Sequence, residues 1–302
     1  MVNLLVHLVL LLVFPPLLLG VINKTKALFA GRRGPPLLQA YWDIAKLMQK
    51  GLVLSTTTSW VFVAAPVVGL ATVLLAGMLV PHGPFPAPLS FTGDMILFAY
   101  LLALGRFFTT AAALDTGSPF EGMGAAREVT FACLAEPALF FALLVLVRLS
   151  GTLTLAGMLH APTQVSLATT AATLVLVGIG LFVVLLAESC RIPVDDPNTH
   201  LELTMIHEVM VLDHSGPLLG MILYAAALKM FVLGTVLLHV IAPFQTGIAG
   251  LDWVLFVAEL LGLAVLIGVV ESVMARLQMR HVPYLLTAAM LSCGFAFALL
   301  IR

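Results

Sequence analysis

The chain has 302 residues, of which 61% are hydrophobic and only 10% charged, and its formal net charge is −1. Soluble domains carry about 25% charged residues, so a water-soluble globule is excluded, and a net charge this close to zero argues against nucleic acid as a partner. Cys133, Cys190 and Cys293 stand far apart in the sequence, match no metal-ligand or disulfide spacing, and read as free thiols.

Nothing ionised lies between Lys50 and Asp94, between Arg148 and Glu188, or between Lys229 and Asp252. About 20 apolar residues cross a bilayer. The expected fold is therefore an all-α integral membrane domain filling 1–302, with about eight transmembrane helices near 2–22, 59–80, 92–114, 127–149, 165–187, 218–242, 252–274 and 283–301. The first apolar run has no basic residue before it and no small-residue cleavage site, so it reads as a retained helix. After it, the loop 24–50 contains Gly31-Arg-Arg-Gly-Pro-Pro36, a helix stop and restart. Over 37–50, Leu37, Leu38, Tyr41, Ile44, Ala45 and Met48 share one helical face, with Gln39, Asp43, Lys46 and Lys50 opposite. That pattern predicts an amphipathic helix in the membrane surface or under a partner subunit. The loops 81–91, 150–164 and 243–251 carry Pro, Gly and small polar residues and read as turns.

Basic residues set the expected orientation. Lys24, Lys26, Arg32, Arg33, Lys46, Lys50, Arg127, Arg191, Arg276 and Arg280 all fall in odd-numbered loops, against Arg148 and Arg302 on the other side. Both termini are expected on the non-cytoplasmic side of the inner membrane, and the loop 188–217 on the cytoplasmic side.

Four charges fall well inside the expected spans, away from their ends. Arg106 and Glu136 each lie roughly 12–13 Å from the cytoplasmic ends of their spans by helical rise, and Lys229 and Glu259 lie near mid-membrane. An unpaired charge there costs several kcal/mol, so Arg106 is expected to pair with Glu136, and Lys229 with Glu259. Structural ion pairs and elements of a proton or ion relay are both consistent with this pattern.

The loop 188–217 packs six carboxylates, one arginine and three histidines into thirty residues. The carboxylates are Glu188, Asp195, Asp196, Glu202, Glu208 and Asp213; Arg191 is expected to pair with Asp195 or Glu188. His200, His207 and His214 recur every seven residues, but no second cluster completes a metal site, and His207-Glu208 lacks the second histidine of a zinc-protease helix. No cysteine cluster, activated nucleophile or phosphate-binding glycine loop is present, so no catalytic or metal-binding residue is assigned.

Glu188-x-x-Arg191-x-Pro193-x-Asp195-x-Pro197, followed by Glu202-Leu203, resembles the cytoplasmic loop of the proximal membrane subunit of respiratory complex I and of its relatives in energy-converting nickel–iron hydrogenases and formate hydrogenlyases. Three more motifs agree. They are Arg32-Arg33-Gly-Pro with Leu38-Gln39 and Asp43-x-x-Lys46-Leu; Leu114-Asp115-Thr-Gly-Ser-Pro-Phe120 with Gly-Ala-Ala-Arg127-Glu128 and Glu136-Pro137; and Glu271-Ser-Val-Met-Ala-Arg276-Leu. The second group is similar to the hydrogenase and formate hydrogenlyase branch in particular.

The resemblance implies a membrane subunit that docks a nickel-bearing large subunit and an iron–sulfur small subunit, sits beside antiporter-like membrane subunits, and holds the proximal part of a charge relay. The nickel–iron centre and iron–sulfur clusters would then belong to partners, with no cofactor in this chain. The candidate relay and coupling set is Arg106, Glu136, Glu188, Arg191, Asp195, Asp196, Glu202, Glu208, Asp213, Lys229, Glu259 and Glu271. The candidate docking set is Arg32, Arg33, Asp43, Lys46, Arg127, Arg276 and Arg280. Asn198 and His200 stand where the complex I loop usually carries glutamates, which weakens a quinone-site reading. A stand-alone secondary transporter is the third reading.

Overall fold

The computed structural model describes residues 2–164, 167–196, 205–242 and 244–301. Glu202, with Asn198 and His200, lies outside the described residues. Within them the chain is helical, with eleven α-helices and no strand.

The first expected span is a bent pair, α1 (Val2–Val13) and α2 (Pro15–Phe29), meeting at 51°. Pro15 and Pro16 explain the break. Proline has no N–H to bond to the preceding turn and its ring collides with that turn's carbonyl. The surface helix α3 (Gln39–Gln49) follows, then α4 (Trp60–Leu79), α5 (Asp94–Asp115), α6 (Pro119–Ser150), α7 (Leu155–Gln164), α8 (Leu167–Glu188), α9 (Gly216–Ile241), α10 (Ala249–Val273) and α11 (Val282–Ile301). Among the described residues seven helices are long and apolar enough to cross a bilayer, eight if the bent pair is one span. This is a multi-pass membrane protein.

Two boundaries differ from the expectation. α6 has 32 residues, about 48 Å at 1.5 Å per residue, longer than a hydrocarbon core of about 30 Å. Pro119 in its first turn, where a missing N–H costs nothing, starts the helix eight residues before the apolar run. Glu121, Arg127 and Glu128 are therefore helical and project beyond the apolar stretch. The segment 150–164, read as a turn, contains α7, whose Leu155, Met158 and Leu159 recur at helical spacing and are fully buried.

The core gathers on α9. Almost every residue from Ala227 to Val240 is buried, and α2, α3, α4, α7, α8 and α10 pack around it. α11 lies at the edge against α6 and α8. Small residues let these backbones close in, as membrane packing requires: a Cβ on Gly180 would overlap Cys293 of α11, and one on Gly268 would press on Thr25 of α2. α3 buries none of its own residues fully. Its Ile44, Leu47 and Met48 lie against Gly220 of α9, and Tyr41 donates a hydrogen bond to the Val13 carbonyl at the α1–α2 bend. Trp42 and Lys46 on its other face are exposed.

Chain direction gives the bundle two distinct ends. α5, α8 and α10 finish where α4, α6 and α9 begin, and there the segments 189–196, 205–215 and 274–281 and helix α3 gather; this is the loop end. The far end holds α7, the segment 80–93 and the last turn of α9.

Candidate functional site

Arg106 is nine residues from the end of α5, about 14 Å by helical rise, and its side chain is 9% exposed. Its three nitrogens go to three carboxylates. Nη1 donates to Glu136 and Nε faces Glu128 at 3.2 Å, both on α6; Nη2 donates to Glu188 at the end of α8. A planar guanidinium with a fixed fork of donors suits this task, where a lysine would present a point charge. Glu188 sits where the α8 dipole is negative, an unfavourable place for a carboxylate. Arg106 offsets that, and so does Lys229 of α9, whose Nζ lies 2.7 Å from the other Glu188 oxygen.

From Glu128 the network leaves the helices for the loop. The second Glu128 oxygen lies 3.0 Å from His207 Nε2, and His207 Nδ1 lies 3.4 Å from Asp195. Asp195, 1% exposed, also accepts from the backbone N–H groups of Ile206 at 3.3 Å and His207 at 3.1 Å. Its other oxygen receives Arg276 Nη2 at 2.9 Å. One carboxylate thus joins both described arms of the 189–215 segment to the stretch after α10. The Leu277 N–H, bonded to the Pro193 carbonyl at 3.0 Å, adds a second tie. Burial opposes a charge on His207, but the Glu128 and Asp195 carboxylates face it and hold its pKa well above the ordinary imidazole value. Burial likewise pushes the Asp195 carboxyl up, and His207 and Arg276 outweigh it, leaving Asp195 below the usual carboxylate range. Burial raises the Cys190 thiol, which stays neutral. With His207 protonated, four cationic groups (Arg106, Lys229, His207, Arg276) balance four carboxylates (Glu128, Glu136, Glu188, Asp195).

A second cluster lies beside it. Glu271, its side chain fully buried near the end of α10, receives Lys26 of α2 at 2.7 Å and Arg191 at 3.3 Å. Between the clusters is a cavity of about 440 Å³, lined on its polar side by Asp43, Arg106, Glu128, Glu188, Arg191, His207, Glu208 and Lys229, and on its apolar side by α2, α4 and α9.

Two expected pairs are corrected. Arg191 reaches Glu271, neither Asp195 nor Glu188; the tight turn after α8, with Cys190 at φ 57°, carries the arginine toward α10. Lys229 pairs with Glu188 and not with Glu259. Glu259 lies on α10 just inside the far half of the bundle, half-buried, with one oxygen unpartnered; equal depth does not make the two side chains face each other. Arg106 does reach Glu136. Asp196 and Glu208 stand half-buried at the loop, and Asp213 is exposed, its N–H held by Glu121 at 2.9 Å. Of the docking candidates, Arg32, Arg33, Asp43, Lys46 and Arg280 are exposed at the loop end. Arg276 ties to Asp195, and Arg127 donates to the Met205 carbonyl at 2.7 Å, fixing the loop to α6.

Sequence reasoning left Glu128, His207 and Lys26 out of the relay set. Glu128 had a signal, because it precedes Glu136 by two helical turns and shares its side of α6. His207 had none without the fold. Among the described residues no three His, Cys, Asp or Glu side chains are grouped to hold a metal.

Comparison with known proteins places this architecture. The chain is 33% identical to hydrogenase-4 component C of Escherichia coli (strain K12) over 293 residues, covering 92% of this chain and 89% of that protein. It is 31% identical to formate hydrogenlyase subunit 4 of the same organism, covering 94% and 92%. In fold, a chain of the membrane-bound sulfane sulfur reductase, an archaeal respiratory membrane complex, superposes with a TM-score of 0.81 at 20% identity, covering 98% of this chain and all of that one. The NADH dehydrogenase family pattern matches residues 2–302, and the chain belongs to that family, on the side of its hydrogenase-4 and formate hydrogenlyase members.

Proposed function

We propose that this chain is the membrane-anchoring, ion-coupling subunit of an energy-converting hydrogenase or formate hydrogenlyase-type complex. Its loop end docks a nickel–iron large subunit and an iron–sulfur small subunit, which carry the redox centres, and antiporter-like subunits lie beside it in the membrane. The basic residues of α3 and the 24–50 and 274–281 segments mark that end as cytoplasmic, with both termini opposite. The observation that carries the reading is one continuous line of charge. It runs from Arg276 and Asp195 at the loop, through His207, Glu128 and Arg106, to Glu136 and, by way of Glu188, Lys229. Hydrophobic packing would hold helices together more cheaply than buried ions, whereas alternating acids and bases within hydrogen-bond reach can pass a proton. Movement of the docked arm would act on Asp195 and Arg276 first. A shift there changes what faces His207, hence its proton affinity, hence the partners left to Glu128 and Arg106.

Glu136 is the test residue, because its side chain is 41% exposed while Arg106 holds one oxygen. Glu136→Gln keeps shape and hydrogen bonding but cannot carry the proton. The complex is expected to assemble and to keep its soluble-side electron transfer, while protons moved per hydrogen formed fall by about tenfold or more. Unchanged proton movement would refute the relay.

The cavity of about 440 Å³ favours a second reading, a quinone-binding position, since it combines an apolar wall with polar groups at one end. Quinone reduction by the purified complex, with loss on filling the cavity through Gly69→Phe, would decide for it.

A further inference from the structure

Four of the eight histidines in the sequence gather at the far end, away from the charged network. His7 comes from α1, His82 from the segment after α4, His160 from α7 and His239 from the last turn of α9. The His7 and His82 rings stack at 3.6 Å and 5°, His82 also stacks on Phe256 at 5.5 Å, and His160 lies 5.8 Å from His239.

His239 has the decisive geometry. Its Nδ1 lies 2.8 Å from the Thr235 carbonyl oxygen and its Nε2 lies 3.0 Å from the Gly83 carbonyl oxygen. A neutral imidazole has one N–H and one lone pair, so it can donate to only one of these acceptors, and its lone pair must then face the other carbonyl. Only the imidazolium donates to both. Gly83 adopts φ +58°, a left-handed conformation that suits glycine, and that turn holds its carbonyl over His239. Beside it, His82 is wholly buried with neither ring nitrogen partnered. A group in that state costs about 1–3 kcal/mol if it serves packing alone.

We propose that His239 is a proton-binding site at the far end of the bundle and the far station of the relay, with His82 and His160 as its imidazole neighbours. A proton from water on that side adds to the ring nitrogen lone pair and gives an imidazolium held between the Thr235 and Gly83 carbonyls. Only one proton is held, because His7, His82 and His160 crowd the same space and like charges there repel. His160, half-buried, opens the group toward that surface. Other charges in this half are engaged or remote from it. Asp94 of α5 accepts from Leu155 N at 2.6 Å and Phe91 N at 3.3 Å. Asp252 of α10 accepts from Thr246 N at 2.7 Å. Arg148 of α6 is exposed and Glu259 of α10 is half-buried. α4 contributes no titratable side chain. Lys229, ten residues earlier on α9, is about 15 Å away along the axis and is the member of the charged network on this helix.

The station role rests on the relay reading; proton binding itself does not. The test uses the intact complex in lipid, labelled with 15N-histidine and 13C-carbonyl glycine and threonine, so that the ring touching both a glycine and a threonine carbonyl is His239, whereas His7 touches the Gly77 carbonyl. The expected spectrum has both His239 nitrogens protonated at pH 6 and loses one proton as pH rises. A single neutral tautomer from pH 5 to 8 overturns the proposal. His239→Gln, compared with Glu136→Gln, then reads protons moved per hydrogen formed, with a fall of about tenfold or more expected. Normal movement in His239→Gln beside loss in Glu136→Gln overturns the station role. A titrating His239 in an unmodified complex that moves no protons upholds the binding site and refutes the relay reading instead.

Discussion

The two ends of this bundle solve the problem of polar groups in an apolar protein by opposite means. In the loop-end network each buried charge meets an opposite one, and the network is neutral as a whole only while His207 keeps its proton; buried Glu121, outside it, is held by the Asp213 N–H. At the far end four imidazoles gather, with backbone carbonyls facing His7 and His239, and the buried carboxylates Asp94 and Asp252 are held by backbone N–H groups and not by cations. The first arrangement holds its charges and can change only by moving a partner; the imidazole group holds no fixed charge and can gain one. A chain that carries a proton between aqueous phases needs both kinds of site, one whose proton affinity is set by a mobile neighbour and one that exchanges with water.

The largest expected effect is at the hub of the charged end. Arg106→Ala leaves Glu136, Glu188 and Glu128 without their common cation. Removing one partner of a buried pair costs about 3–5 kcal/mol, and here three pairs share it. The complex is expected to disappear from the membrane fraction on immunoblotting. Arg106→Lys, which keeps the charge and loses the fork, should recover part of it. Normal yield of Arg106→Ala would mean that the network does not hold α5, α6 and α8 together.

Lys229→Met is the next largest. Glu188 keeps Arg106 and loses its partner at 2.7 Å, so a cost of about 2 kcal/mol is expected, read as a lower thermal midpoint in detergent. Arg191→Ala should be milder, about 1 kcal/mol, because Lys26 still faces Glu271 at 2.7 Å and only one charge-assisted contact is removed. Equal costs for the two would contradict the separation of the clusters.

The charged end should respond to pH from both sides. His207 has its pKa raised in the folded state, so its contribution is complete below the unfolded imidazole value and is lost as pH rises through the folded value. Asp195 has its pKa lowered, so its contribution holds above the unfolded carboxylate value and is lost as pH falls through the folded one. Thermal midpoints measured from pH 6 to 9 are expected to fall in the unmodified complex and to stay flatter in His207→Gln. Parallel curves would remove His207 from the network.

How much of this was legible in the chain follows from what each end is made of. The spans, the surface helix and the charged loop were legible because each is a local pattern: an apolar run, a helical face, a motif; the bend that breaks the first span at Pro15 was read as one continuous helix. The Arg106–Glu136 contact follows from two adjacent spans with charges at equal depth. The Lys229 and Arg191 partners were not legible. Depth alone cannot say which way a side chain faces around its helix, and α9 packs against seven other helices among the described residues. The far histidines were hidden for a further reason. His7, His82, His160 and His239 are separated by 75 or more positions, and each alone reads as an ordinary buried aromatic. Only the fold shows that two carbonyls face one ring.

The smallest effect expected belongs to Glu259, and it sharpens the division between the ends. It lies in the far half of the bundle, half-buried, with no ion-pair partner within reach among the described residues. With no partner to lose and a side chain of the same shape put in its place, Glu259→Gln is expected to change stability by no more than about 0.5 kcal/mol. The double variant with Lys229→Met provides the discriminating measurement. If Lys229 belongs wholly to Glu188, the two single effects add within about 0.5 kcal/mol, as for independent sites. If the pair suggested by depth forms in the membrane, the double variant loses less than the sum of the singles, because the second change removes a partner already gone. That coupling would make α9 and α10 carry a mid-membrane ion pair and would extend the paired charges of the loop end toward the imidazoles. The contrast between the two ends would then fail at that point.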